Sequence, residues 1–226
     1  MRSTSHKQEL RADTGGDGVG TNAEWKVPPL PRLDELCAHF ARRVPPDVVT
    51  LIHGDYKPDN IVWRHSHSPD ASLNTSADTG GQPLRCAAVL DWELSTLGHP
   101  LSDLANLCLP YYADRFDVPI FTGFDPNDFA KEEGQGAPPI ERMLKCYCDA
   151  SCGRFELASL REHWPFCVAF AFLRLAVILQ GIAFRAARGV ASQAERGAVI
   201  GSFAGAAADA AWNTLDPGRT GRTSKL

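Results

Sequence analysis

More than half of this 226-residue chain, from Leu101 onward, has the pattern of helices separated by proline and glycine. The expected helical segments are 101–113, 126–133, 139–152, 156–186 and 191–213. The most apolar stretch, Phe166–Leu179, is interrupted by Arg174 and preceded by Pro165. It is too short and too interrupted for a membrane span, so we expect a buried helix and no bilayer crossing.

Two short apolar runs before this helical part predict a small β-hairpin, with strands near 61–63 and 86–90. Residues 65–82 between them are almost all polar or small, which predicts a mobile loop because such a segment cannot bury an apolar face. A helix at 32–43 and a short strand at 48–52 come earlier. The predicted fold class is α+β, mostly α.

The two ends of the chain differ in composition from the middle. Residues 1–24 are polar and glycine-rich, which predicts a disordered leader without a secretory signal. No strand pattern precedes their glycines, which disfavours a phosphate-binding loop. We therefore divide the chain into this leader, a domain at 25–215 and a flexible tail at 216–226.

The tail ends in Ser224-Lys225-Leu226, the tripeptide that peroxisomal import machinery reads at a free C-terminus. It predicts a peroxisomal location and an import receptor as partner, with the cytoplasm as the location otherwise. The alternative is an uninformative basic tail.

Charge and cysteine content exclude several classes of protein. The 23 basic and 27 acidic residues leave a formal net charge of only -4, so we expect no nucleic-acid partner. Seven cysteines, an odd number without regular spacing, favour reduced thiols over a disulfide scaffold. A metal site at Cys146, Cys148 and Cys152 is disfavoured because paired C-x-x-C spacing and a nearby histidine are lacking.

The strongest local motif is His53-Gly-Asp-Tyr-Lys-Pro-Asp-Asn60, between the first two predicted strands. Asp55 and Asn60 have the spacing of the aspartate and asparagine in a kinase catalytic loop. Phosphoryl transfer needs a carboxylate that accepts the proton of the attacking hydroxyl and oxygen ligands that hold Mg²⁺. Asp55 fits the first task, and the side-chain oxygen of Asn60 fits the second.

A second magnesium ligand is expected after the strand that follows, and Asp91 stands there. With Asn60, phosphate oxygens and water it would form the all-oxygen shell that Mg²⁺ prefers. Glu93, two residues further on, is either a group that supports the metal ligands or an exposed acid at the strand end.

The blocks HGDYKPDN, VLDWELSTLGHPLSDLANLCLPYY and FAFLRLAVILQGIAFRAARG resemble the aminoglycoside-phosphotransferase and choline-kinase superfamily. Within it, the second and third blocks are most similar to the kinase-like domains fused to acyl-CoA dehydrogenases and to their free-standing fungal and bacterial relatives. The likeness extends from about Leu33 to Trp212. It implies the C-terminal lobe of the protein-kinase-like fold, with the small β-hairpin at the catalytic loop.

The resemblance also implies residue roles. The catalytic base would be Asp55, the magnesium ligands Asn60 and Asp91, and Asp103 would brace the catalytic loop through its backbone. Lys57 stands where protein kinases place a phosphate-contacting lysine, and the alternative is a solvated surface lysine. His53 is expected to support the loop by packing and hydrogen bonding, because the mechanism leaves it no proton to move.

These residues predict a small-molecule kinase that uses ATP and Mg²⁺ and transfers phosphate to a hydroxyl group. The resemblance implies a hydroxylated acyl substrate, of which hydroxyacyl-CoA is one. The competing prediction is a catalytically silent pseudokinase that serves as an interaction module. A hydrolase is disfavoured because G-x-S-x-G is absent, and the serine of 201–205 stands one place too early.

Only 52 residues precede His53, too few for the leader, the helix at 32–43 and an ATP-gripping N-terminal lobe. Lys26 lies beside prolines instead of inside an apolar strand. We therefore expect that lobe to be missing, through a truncated gene, a splice form or a pseudokinase origin. We also expect this chain to bind ATP poorly.

Overall fold

The computed structural model describes residues 27–65, 84–113, 138–190 and 194–215. The helices are α1 (Leu33–Arg42), α2 (Leu101–Cys108), α3 (Pro110–Ala113), α4 (Ile140–Ala150), α5 (Leu157–Ala187), α6 (Ala194–Gly201) and α7 (Ala204–Leu215). The strands are β1 (Thr50–Ile52), β2 (Ile61–His65), β3 (Leu84–Val89) and β4 (Thr96–Gly98). Short 3-10 turns span Pro58–Asn60 and Trp92–Leu94. The predicted α+β, mostly helical class is confirmed.

The strands form two antiparallel pairs. β2 pairs with β3 from Ile61↔Val89 onward, with an irregularity after Val62, and this is the predicted hairpin. β1 pairs with β4 in the register Leu51↔Leu97. The sequence did not predict β4, because three residues are too short to show an alternating pattern.

The long helix α5 forms the centre of the body and contacts α2, α4, α6 and α7. The largest fully buried side chains belong to Phe172, Leu36, Leu101, Leu144, Leu160, Val168 and Cys108. By length and composition α5 is also the one helix in the described part of the chain that could cross a membrane. Its buried residues belong to the hydrophobic core, as expected for the central helix of a globular domain.

Small residues allow the last two helices to lie close to α5. The alanines of α7 at positions 207, 208, 210 and 211 are fully buried. A Cβ atom added to Gly201, the last residue of α6, would stand 2.5 Å from the Ala183 Cβ of α5. The contact between α5 and α6 therefore requires a glycine at this point.

Two predicted helices are each interrupted. The segment 101–113 divides into α2 and α3 at Leu109, because Pro110 has no N–H for the helical hydrogen bond. The segment 191–213 divides into α6 and α7. The predicted leader 1–24, most of the loop 65–82, the helix at 126–133 and the tail at 216–226 lie outside the described residues.

Candidate active site

The loop that follows β1, residues 53–60, is held by a carboxylate from the first turn of α2. Asp103 accepts hydrogen bonds from the backbone N–H of His53, at 2.6 Å, and of Gly54, at 2.9 Å. Hydrogen bonds to an ionised acceptor are stronger than those between neutral groups. One side chain thus holds two successive peptide groups directly before Asp55.

Gly54 has a backbone conformation that other residues rarely adopt, with φ of 84°. A Cβ atom at this position would stand 2.4 Å from the carbonyl oxygen of Leu94. The glycine therefore allows the loop to pass directly over the turn at Trp92–Leu94.

His53 is buried, with 3% of its surface exposed, and both ring nitrogens have partners. Nε2 lies 2.7 Å from the carbonyl oxygen of Leu90, which can only accept, so Nε2 carries the proton. Nδ1 accepts the backbone N–H of Asp55 at 3.2 Å. The Trp92 ring lies beside the imidazole, with centroids 4.7 Å apart. This neutral ring links the loop to the end of β3.

Asp55 is anchored through both its backbone and its carboxylate. The Asn60 Nδ2 group donates to the Asp55 carbonyl oxygen at 2.9 Å and to its Oδ2 at 3.2 Å. Lys57 Nζ donates to the same Oδ2 at 2.7 Å. The side chains of Asp55 and Lys57 are 29% and 41% exposed, so a solvent-borne molecule can reach the pair. An accessible carboxylate in a fixed position can accept a proton from a hydroxyl group.

Asn60 and Asp91 are brought together by the pairing of β2 with β3. Ile61 pairs with Val89, and the backbone N–H of Leu90 donates to the Asn60 carbonyl oxygen at 2.8 Å. Asn60 is 5% exposed, and its side chain uses the amide nitrogen for Asp55, which leaves the amide oxygen for a cation.

Asp91 is exposed and has a left-handed backbone, with φ of 62° and ψ of 54°. Its carboxylate makes no capping hydrogen bond to the turn that follows. No group of three His, Cys, Asp or Glu side chains in the described part of the chain could hold a metal ion alone. Asp91 and Asn60 therefore fit Mg²⁺ only as a partial site that phosphate oxygens and water complete.

The other candidate residues are Glu93 and the three neighbouring cysteines. Glu93 is exposed in the turn after Asp91. Cys146 and Cys152 are exposed and Cys148 is buried, all three as free thiols. Burial raises the pKa of the thiols of Cys108 and Cys167 to about 12, so neither is a nucleophile at neutral pH.

Sequence reasoning missed two residues that hold the loop. Asn106, one turn after Asp103 on α2, donates from Nδ2 to the Tyr56 carbonyl oxygen at 3.0 Å. Arg174 of α5 donates from Nη2 to the Gly54 carbonyl oxygen. An arginine inside the apolar stretch Phe166–Leu179 was a signal that it has a polar partner, but not of which residue that partner is.

A cavity of about 540 Å³ lies beside the loop, between β1, α2 and α4. Its polar groups include His53, Tyr56 and Asp103, and burial raises the pKa of the Tyr56 hydroxyl, so that hydroxyl stays protonated at neutral pH. Most of the remaining lining is apolar or aromatic: Leu51, Trp92, Pro100, Leu104, Leu107, Met143, Cys146 and Tyr147. Such a lining suits the hydrocarbon part of a ligand.

Known proteins match this chain over two thirds or more of its length. The model of the phosphotransferase enzyme family matches residues 8–163. Acyl-CoA dehydrogenase family member 10 of Mus musculus is 36% identical over 169 residues, which are 74% of this chain and 13% of that protein. Family member 11 of Homo sapiens is 33% identical over 155 residues, which are 68% of this chain and 16% of that protein.

One solved structure is similar over most of the chain. It belongs to a protein from Ralstonia eutropha JMP134 assigned as an aminoglycoside phosphotransferase, with a TM-score of 0.60 and 28% identity. The match covers 85% of this chain and 51% of that one. This chain thus spans about half of the solved protein and a small part of the two dehydrogenase-family proteins.

Proposed function

Because this chain belongs to the phosphotransferase enzyme family, we propose that it transfers the γ-phosphoryl group of ATP to a hydroxyl group of a small molecule. The observation that carries the proposal is the anchoring of Asp55. Its backbone is held by His53 and Asn60, while its carboxylate stays accessible beside Lys57. In phosphoryl transfer the protein contributes mainly such positioning and charge stabilisation.

In this proposal, Asp55 orients the acceptor hydroxyl and takes its proton as the oxygen attacks the γ-phosphorus, while the bond from that phosphorus to the β,γ-bridging oxygen breaks and ADP leaves. Lys57, whose ammonium group lies 2.7 Å from Asp55 Oδ2, contacts the transferred phosphoryl group as a point charge. His53 moves no proton, because one ring nitrogen is bonded to the Leu90 carbonyl oxygen and the other to the Asp55 N–H. Asp103 keeps the loop in place.

Asn60, through its amide oxygen, and Asp91, through its carboxylate, would hold Mg²⁺ in this proposal. When bound, the ion neutralises charge on the phosphate oxygens. Glu93 either supports these ligands or is only a surface acid. The exposed side chains of Val62, two residues after Asn60, and of Leu90, directly before Asp91, offer apolar surface against which a nucleotide base can lie.

For the acceptor we propose a hydroxylated acyl compound, and hydroxyacyl-CoA in particular. Two observations support this choice of acceptor. The similar proteins are named as members of the acyl-CoA dehydrogenase family. The cavity beside the catalytic loop is largely apolar and large enough for part of an acyl chain.

Calorimetry with Mg²⁺ and ATP tests the metal and nucleotide part of the proposal. We expect the 226-residue chain to bind weakly, and Asp91→Ala to abolish binding because it removes an oxygen ligand of the ion. Asp209→Ala, at an exposed acid on α7, is the matched control and should bind as the unmodified chain does. Equal binding by Asp91→Ala would contradict the assigned metal site. Glu93→Ala should weaken the binding of Mg²⁺ and ATP if Glu93 supports the metal ligands, and should leave it unchanged if Glu93 is only a surface acid.

We propose a peroxisomal location from Ser224-Lys225-Leu226. A fluorescent protein fused to the N-terminal side of the chain should give puncta that contain a peroxisomal marker. Deleting the three residues should disperse it into the cytosol. Unchanged puncta after the deletion would contradict the proposed import signal.

The second candidate function is an interaction module without catalysis, and the exposed sheet of β1 and β4 favours it. Leu51 and Leu97 face each other across this pair and are 62% and 72% exposed. Exposed apolar patches often mark protein contacts. This function predicts partner binding that needs no nucleotide and survives Asp55→Asn, whereas the kinase function predicts a loss of product formation in that variant.

A further inference from the structure

Arg174 is the only charged residue in the apolar stretch Phe166–Leu179. It lies in the middle of α5, half-buried, directly after Leu173, which is 8% exposed. A guanidinium group keeps its charge at every ordinary pH, so its partial burial is unfavourable unless hydrogen bonds compensate. The position of Arg174 is therefore explained by what it contacts.

Its contact is the carbonyl oxygen of Gly54, 120 residues away in the chain, to which Nη2 donates. This oxygen belongs to the peptide group that joins Gly54 to Asp55. The N–H of the same peptide group donates to Nδ1 of His53 at 3.2 Å. Since a peptide group is planar, anchors on its oxygen and on its N–H together fix its orientation.

The other anchors of the loop act on different groups. Asp103 accepts the N–H groups of His53 and Gly54, and Asn60 donates to the Asp55 carbonyl oxygen. The oxygen of the peptide group before Asp55 receives its side-chain hydrogen bond from Arg174. Without that bond, this peptide group would be free to tilt about its remaining anchors.

We propose that Arg174 is a positioning residue for phosphoryl transfer, fixing the peptide group before Asp55 and hence the direction of the Asp55 carboxylate. The inference rests on the proposed function for its kinetic part and on the hydrogen-bond geometry for its structural part. An error of about 1 Å in the position of a reacting group can lower a rate by roughly 100-fold. Arg174 therefore acts on the reaction through Asp55 without touching the substrate.

The structural part is tested by hydrogen exchange followed by mass spectrometry, in the 226-residue chain. The variants are Arg174→Met, which keeps the bulk and removes the donors, and Arg174→Lys, which keeps a donor of different shape. Arg185→Met is the matched control, since Arg185 is exposed on the same helix. The peptide that contains residues 53–57 is compared with peptides from α5 and α7.

In Arg174→Met we expect amide exchange at 53–57 to accelerate by about tenfold or more, as for the loss of a charged hydrogen bond. Exchange in α5 and α7 should stay unchanged, Arg174→Lys should fall between, and Arg185→Met should match the unmodified chain. If Arg174→Met does not fold, Arg174→Lys decides the structural part. Exchange at 53–57 equal to that of the unmodified chain in the folded variants would overturn the proposal.

The kinetic part uses the same proteins with Mg²⁺, ATP and hydroxyacyl-CoA. We expect kcat to fall by about 10- to 100-fold in Arg174→Met, with little change in KM for ATP and partial recovery in Arg174→Lys. An unchanged kcat with a faster-exchanging loop would overturn the positioning role. If even the unmodified chain forms no product, the proposed function fails, and the exchange data alone decide whether Arg174 holds the loop.

Discussion

At Gly54, one missing side chain allows the loop before Asp55 to approach a neighbouring turn. Both the positive φ and the 2.4 Å approach to the Leu94 carbonyl oxygen exclude a Cβ atom without rearrangement. Gly153 offers a comparison, because its φ is also positive, at 80°, but nothing lies within 4 Å of an added Cβ. A substitution at Gly153 therefore introduces backbone strain alone, whereas one at Gly54 introduces both strain and a steric conflict.

We expect Gly153→Ala to lower the free energy of unfolding by about 1 kcal/mol, from backbone strain alone. Gly54→Ala should lower the free energy of unfolding by about 2–4 kcal/mol, because overpacking against Leu94 adds to a similar backbone strain. Urea denaturation of both variants measures the difference. Equal losses would mean that the loop yields to the added methyl group and that close approach is not what requires glycine there.

The residues nearest the proposed chemistry were predictable because they are close in sequence or follow a strand. Asp55 and Asn60 stand five positions apart, and Asp91 follows the strand that pairs with β2. Arg174 was not predictable as a loop contact, since 120 residues separate it from Gly54 and no local pattern encodes that distance. The assigned roles of all these residues remain predictions.

Among the elements, the contact between α5 and α6 depends on Gly201. An added Cβ would stand 2.5 Å from the Ala183 Cβ and 2.8 Å from its Cα. Gly205 in α7 meets nothing within 4 Å. The two glycines lie four residues apart in neighbouring helices, so the same substitution should have opposite effects.

Gly201→Ala should lower the free energy of unfolding by about 1–3 kcal/mol through overpacking against α5. Gly205→Ala should raise it by about 0.4–1 kcal/mol, because alanine restricts the unfolded chain more than glycine does and can adopt the helical backbone at this second residue of α7. Thermal and urea unfolding of both variants check the signs. A stabilising Gly201→Ala would show that α6 shifts away from α5 at little cost.

Element types were easier to predict than element boundaries. The pattern of α5 located that helix to within a residue at each end, since its apolar run is long and ends near Gly189. The break between α6 and α7 was missed because the alanine-rich sequence on either side favours helix, although Gly201 and Ser202 at the break do not. The strand β4 depends on its pairing with β1, which only the tertiary structure shows.

Over the whole molecule, the described residues place a packed helical body behind a loop that carries acidic and basic groups. α5 links the two, because it packs the core on one part of its surface and reaches the loop through Arg174. Several large apolar side chains near the loop are exposed: Leu51, Trp63, Leu90, Trp92, Leu94 and Leu97. Nucleotide, acceptor or protein contacts at this end would each cover part of this surface.

The central claim is that this chain transfers phosphate with Asp55 as the base. The most direct measurement is mass-spectrometric detection of phosphorylated hydroxyacyl-CoA after incubation with Mg²⁺ and millimolar ATP. We predict product from the unmodified chain and from Asp59→Asn, at an exposed acid of the same loop, and a rate about 10²- to 10⁴-fold lower for Asp55→Asn. No product from the unmodified chain, or equal product from Asp55→Asn, would contradict the claim.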